Sequence, residues 1–199
     1  MNGLSDGQWV NTLRSVFIHV VPETLLVATA CLQFLVGCAY NRRWLWGFVT
    51  ALGLLTSMLV ASLHQPAATT AAEAVPVYAD ALASLSRWIA LLAGLVLIGL
   101  SWPEVPSQRA AEYYGCLLTL LAGVSLVGRA NDLLTLFLAL ELVSIPTYVL
   151  LYLPRRTGTA QEAAIKYFLL SVAASAVLLF GFSYLYGAVG SLRLPVIVT

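Results

Sequence analysis

Long apolar stretches separated by short polar linkers run the length of this chain. Six of them are long enough to cross a bilayer, which takes roughly 20 apolar residues. They cover approximately residues 18–40, 44–63, 80–102, 113–130, 132–153 and 162–187. Each is continuous and rich in Leu and Ala, without the residue-by-residue alternation of barrel strands, so the pattern predicts helices. The fold class is therefore all-α, a polytopic bundle of about six transmembrane helices.

Composition agrees with that class. Apolar residues make up 60% of the 199 and charged residues 10%, against about a quarter charged in a soluble domain. Mean hydropathy is +0.89. The net charge of +1 leaves no electrostatic footprint for nucleic acid. Arginine placement gives an orientation. Arg42, Arg43, Arg109, Arg155 and Arg156 follow the odd-numbered spans, while Arg14, Arg129 and Arg193 lie on the other side. The positive-inside rule then puts the N-terminus outside. Trp44, Trp46, Trp102, Tyr113, Tyr114, Tyr152, Tyr184 and Tyr186 cluster near span ends, as interfacial anchors do.

Several chemistries find no support. The stretch Leu35–Cys38 fits a lipoprotein cleavage box, but the segment before it is too long and too weakly charged for a signal, and Pro22 and Glu23 interrupt its core. Cys31, Cys38 and Cys116 lack metal-ligand spacing and read as small buried hydrophobes. His19 and His64 sit near span ends, in interfacial positions. No glycine-rich phosphate loop or nucleophile–base pair is present. The chain therefore carries no signature for binding NADH, flavin or an iron–sulfur cluster.

What remains is charge inside the apolar spans. Glu141 interrupts LLTLFLALELVSIPTYVLLYL near the middle of span five. A charge at that depth costs about 2.5–3.5 kcal/mol on insertion scales, which points to function rather than packing. Pro146 follows within the same helix. It removes the hydrogen bond to the Leu142 carbonyl and predicts a kink with a free acceptor beside Glu141, with Ser144 close by. The bland reading is an ordinary packing kink.

Lys166, the only lysine, opens span six. The other nine basic residues are arginines, which do not release protons. One reading turns Lys166 inward as a proton relay for Glu141. The other lets it snorkel to the interface, or pair with Glu162 at spacing i, i+4. Arg87, a third of the way into span three, can snorkel outward or pair with Asp80, and Glu23 follows Pro22 at the outer end of span one; both read as interfacial anchors, with lining a transport path as the alternative.

The stretches NDLLTLFLALELVSIPTYVLLYLPRR and EAAIKYFLLSVAASAVLLFGFSYLYGAVGS resemble subunit N of proton-pumping NADH-quinone oxidoreductase (respiratory complex I), one of the antiporter-like proteins shared with Mrp-type antiporters. The likeness is close over residues 110–192; before that it rests on span pattern and VPETLL. The resemblance implies that Glu141 is the family's essential helix-five glutamate and Lys166 its helix-six lysine, both in proton transfer. It implies neighbouring membrane subunits of complex I as partners, with NADH, FMN, iron–sulfur clusters and quinone held there and no cofactor bound by this chain. It also implies a multi-pass place in the inner (cytoplasmic) membrane of a bacterium, or an equivalent energy-transducing membrane.

Members of that family have about fourteen spans, built from two inverted repeats. This chain ends after span six, without the lysines of helices seven and eight, and reads as an N-terminal fragment, a truncated product or a split subunit. Residues 1–105 form a three-span N-terminal region, and 106–199 the start of an incomplete proton-translocation domain. The alternative functions are a subunit of an Mrp-type cation/proton antiporter and a non-transporting membrane scaffold.

Overall fold

Lipid offers no hydrogen bonds, so each apolar stretch must satisfy its backbone internally, which a helix does. The computed structural model describes residues 6–40, 42–63, 77, 81–154 and 157–198, with side chains from Val20 onward. Asp80, His64, Arg155 and Arg156, and the side chains of Arg14 and His19, lie outside the described residues.

The helices are α1 (Asp6–Gly37), α2 (Arg43–Leu63), α3 (Ala81–Ser101), α4 (Ala110–Val127), α5 (Leu133–Tyr152), α6 (Gly158–Val189) and the short α7 (Leu194–Val198). Among the described residues, six helices are long and apolar enough to cross a membrane, matching the six expected spans. The chain is thus an all-α polytopic membrane bundle. β-Bridging among the described residues is confined to two isolated bridges, Val77 with Ala130 and Asp132 with Arg193.

Span six differs from its expected bounds at both ends, and local capping explains why. The Thr157 hydroxyl accepts from the Ala160 amide at 3.2 Å and starts the helix four residues early. Gly190, at φ 71°, ends it, its amide donating to the Tyr186 carbonyl at 2.7 Å. The resulting 32 residues extend about 48 Å, well beyond the roughly 30 Å of a hydrocarbon core.

Helix α4 is the hub, packing on α1, α2, α3 and α5. Its span is 61% buried inside the protein, whereas that of α6 is 0% buried. Leu26 and Ala30 of α1, Trp46 and Leu54 of α2, and Leu91 and Ile98 of α3 close on Tyr114, Leu117, Leu118 and Leu121 of α4. This core runs without a break across residue 105. Polar contacts join α1 to α2: Gln33 Nε2 donates to Thr50 Oγ1 at 2.8 Å, and Ser57 Oγ to the Pro22 carbonyl at 3.0 Å. Such hydrogen bonds hold membrane helices together where no hydrophobic effect does.

Helices α4 and α5 approach closely at Gly123. A Cβ there would stand 2.9 Å from the Leu142 carbonyl carbon, so only glycine lets the two backbones meet. Gly123→Ala is expected to cost about 1–3 kcal/mol through overpacking. The control Gly181→Ala, in open space on α6, should leave stability unchanged or slightly higher. Thermal unfolding of the detergent-solubilised protein checks this; equal midpoints for both variants would contradict the close approach.

Candidate functional site

Helices α5 and α6 meet along a seam of heptad spacing. On α6 the half-buried positions are Ala160, Ala164, Ser171, Ser175, Leu178 and Phe182, three, four or seven residues apart. That spacing keeps one stripe facing a partner helix. On α5 the facing stripe runs through Leu134, Phe137, Glu141 and Tyr148. Tyr148 meets Phe168 edge to face, with ring centroids 5.3 Å apart. At the other end, Leu134 and Phe137 line an apolar cleft of about 340 Å³ with Leu179, Phe182, Tyr186 and Leu192.

Between these apolar ends Glu141 is half-buried, and its Oε1 accepts a hydrogen bond from Ser175 Oγ across the seam. The acid lies about 12 Å along α5 from its first residue, near mid-span. A serine hydroxyl both donates and accepts, so this partner can follow the carboxyl through either protonation state. The pair is a single acid with a rotatable neighbour, in apolar surroundings.

Pro146 is buried against α4 and interrupts the helical ladder as its ring requires. Ser144, close by in sequence, does not donate to the Leu142 carbonyl. Ser144 Oγ donates to the Leu140 carbonyl at 2.9 Å, and Thr147 Oγ1 to that of Val143 at 2.6 Å. The hydroxyls thus reach the carbonyls two residues before and one after Leu142. Leu142 itself packs over Gly123 of α4.

Lys166 does not turn towards Glu141. It donates to Glu162 Oε1, and the two side chains are 69% and 64% exposed. Nine residues separate Lys166 from Ser175. At about 100° and 1.5 Å per residue, they stand half a turn apart and about 13 Å apart along the axis. With Ser175 on the seam, Lys166 occupies the opposite face of α6, away from α5.

The larger correction concerns Glu23 and Arg87, expected to be interfacial anchors. Both are buried, with 2% and 6% of their surface exposed. Arg87 grips the carboxylate with both forks, Nε to Oε1 at 2.9 Å and Nη2 to Oε2 at 3.1 Å. Ser125 Oγ donates to Oε1 at 2.6 Å, and Arg129 Nη1 to the same oxygen at 3.1 Å. Four donors from α3, α4 and the turn after α4 thus converge on one acid of α1. A bidentate guanidinium with further donors is the geometry that best offsets the desolvation of buried charge. The available signal was depth: alternating helices bring the start of the apolar part of α1, the first turns of α3 and the end of α4 to one side of the bundle.

Residues beyond Arg129 lead directly into the Glu141 helix. Asp132 caps α5, accepting from the Thr135 amide at 2.6 Å and from its hydroxyl at 2.8 Å. The Leu133 amide donates to the Leu192 carbonyl at 2.9 Å, and the Leu194 amide to that of Asn131 at 3.0 Å. At the opposite end of α5, Arg109 Nη1 donates to the Leu153 carbonyl at 3.3 Å, a cation at a helix C-terminus. Of the cysteines, Cys31 and Cys38 are exposed and only Cys116 is buried.

Removing one partner from a buried ion pair strands the other. Arg87→Met is therefore expected to destabilise the protein by about 3–5 kcal/mol. A thermal or denaturant midpoint in detergent equal to that of the unsubstituted protein would contradict the buried network.

Comparison with known proteins follows this geometry. The family of NADH:quinone oxidoreductase/Mrp antiporter transmembrane proteins matches residues 130–199. NADH-quinone oxidoreductase subunit N 2 of Symbiobacterium thermophilum is 32% identical over 200 residues, covering 94% of this chain and 39% of that protein. The F(420)H(2) dehydrogenase subunit N of Methanosarcina mazei is 28% identical, over 90% of this chain and 38% of its own length. Among solved structures, a chain of respiratory complex I from Thermus thermophilus with bound aureothin superposes with a TM-score of 0.72 at 32% identity, covering 87% of this chain and 38% of that one. The chain thus spans about two fifths of the length of the relatives it matches. It belongs, over that length, to the subunit N family of NADH-quinone oxidoreductase membrane proteins.

Proposed function

We propose that this chain contributes a proton-carrying site to a proton-translocating NADH-quinone oxidoreductase, with Glu141 as the group that loads and releases the proton. The observation that carries the reading is a mid-span acid hydrogen-bonded across two helices by Ser175, in a chain whose relatives are subunit N. An ionised Glu141 accepts from the Ser175 hydroxyl. On protonation the carboxyl becomes a donor, and the hydroxyl rotates to accept. No helix has to move for the exchange.

The driving force comes from elsewhere. NADH, FMN, iron–sulfur clusters and quinone belong to partner subunits in this reading, and this chain binds none of them. Redox chemistry there changes the charge facing Glu141, and coupled titration passes the change on as an altered proton affinity. Arginine placement puts the N-terminus outside, so the Glu23 network lies towards the outer face of an energy-transducing inner membrane. Lys166, on the outward face of α6, exchanges protons with Glu141 only through groups beyond this seam.

A second reading is a cation/proton antiporter component, because the matching family spans both kinds of protein. Sodium-dependent transport by vesicles without NADH turnover would favour it.

In the assembled complex, Glu141→Gln is expected to cut NADH-driven proton pumping about tenfold or more, a barrier change of at least ~1.4 kcal/mol, with complex content unchanged. Unaltered pumping would remove Glu141 from the pathway and leave the scaffold reading. Lys166→Arg keeps the charge but cannot release a proton. Because its pair is exposed and faces away from Glu141, that variant is expected to pump at the unsubstituted rate. A marked loss would show that proton release at Lys166 is required.

A further inference from the structure

Residues Ala130–Asp132 join the Glu23 network to the helix that carries Glu141. Their backbone is bridged to Val77 on one side and to Arg193 on the other. The start of α5 and the return after α6 are both tied to this segment, through Leu133 to Leu192 and Leu194 to Asn131. Both ends of the α5–α6 hairpin therefore share one anchor. Arg129, the residue before that anchor, is 3% exposed and held by Glu23 at 3.1 Å.

The consequence is mechanical. Glu141 lies nine positions along the chain from Asp132, and a helix is stiff over that distance. A shift of Asp132 relative to the return after α6 therefore reaches Glu141 almost undiminished. An O–H···O hydrogen bond keeps its strength only over about 2.5–3.0 Å, so a displacement of about 1 Å is enough to separate Glu141 from Ser175. A slip of one residue would rotate Glu141 by about 100° off the seam.

We infer that Glu23 and Arg129 are positioning residues for Glu141: the buried ion pair sets the register of α5 against α6, and with it the Glu141–Ser175 hydrogen bond. This rests on the reading of Glu141 as the proton carrier. Arg87 supplies the internal control. It binds the same carboxylate from α3. Loss of packing alone makes Arg87 and Arg129 equivalent, whereas a positioning role separates them.

The test uses the assembled complex in its membrane. Infrared difference spectra identify the carboxyl band of Glu141 as the one lost in Glu141→Gln. Arg129→Lys is expected to shift that band and to lower the number of protons moved per electron. Arg87→Lys should leave both as in the unsubstituted complex, even though both substitutions lower the thermal midpoint. Glu23→Asp keeps the charge but withdraws the carboxylate from Arg129, and should shift the band in the same way. It also serves as the reading if Arg129→Lys fails to accumulate. An unshifted band in Arg129→Lys or in Glu23→Asp, or equal shifts in Arg129→Lys and Arg87→Lys, would overturn the positioning role. If Glu141→Gln itself pumps normally, the proton-carrier reading fails, an outcome distinct from any of these.

Discussion

The carboxylate of Glu23, withdrawn from water among three helices, is the contact on which the N-terminal half of this protein turns. Apolar packing alone does not set which helix faces which in lipid, because tails solvate Leu as well as another helix does. A buried charge that accepts a bidentate guanidinium, a second guanidinium and a hydroxyl has few alternative arrangements. It therefore specifies the order of α1, α3 and α4 around the Tyr114–Leu118 core. The apolar contacts then fill the frame that this network defines.

From that frame the bundle becomes progressively less enclosed. Helix α4 is mostly covered by its neighbours, whereas only 17% of the α5 span and none of the α6 span is buried. Polar groups follow the same gradient: four donors surround Glu23, one serine serves Glu141, and Lys166 and Glu162 pair in the open. The rigid network thus sits where the helices are best packed. The acid with a single rotatable partner, Glu141, sits at the edge of the packing.

Much of this was legible in the sequence, for identifiable reasons. Apolar runs as long as a bilayer is thick leave helices as the only solution, so the spans were readable to within a few residues. Glu141 stood out because a charge in mid-span is costly, and Pro146 because no other residue removes a helical donor. Other features depend on geometry that one dimension does not carry. Lys166 faces away from Glu141 because nine residues make two and a half helical turns, a fact that matters only once Ser175 is known to face α5. The Glu23 network joins positions 64 and 106 residues apart. Each charge, taken alone near a span end, looks like an interfacial anchor. Their matched depth on one side of the bundle was the clue, and it appears only when the helices are folded against each other.

If Glu141 and Ser175 act as one proton-exchanging unit, their substitutions should not be independent, since groups in direct contact couple. The most direct measurement is a double-mutant cycle on protons moved per electron, comparing Ser175→Ala, Glu141→Gln and the two combined in the assembled complex. Ser175→Ala should slow translocation by itself and add nothing once Glu141 is gone. Fully additive losses, with Ser175→Ala as harmful in the Glu141→Gln background as alone, would contradict the account.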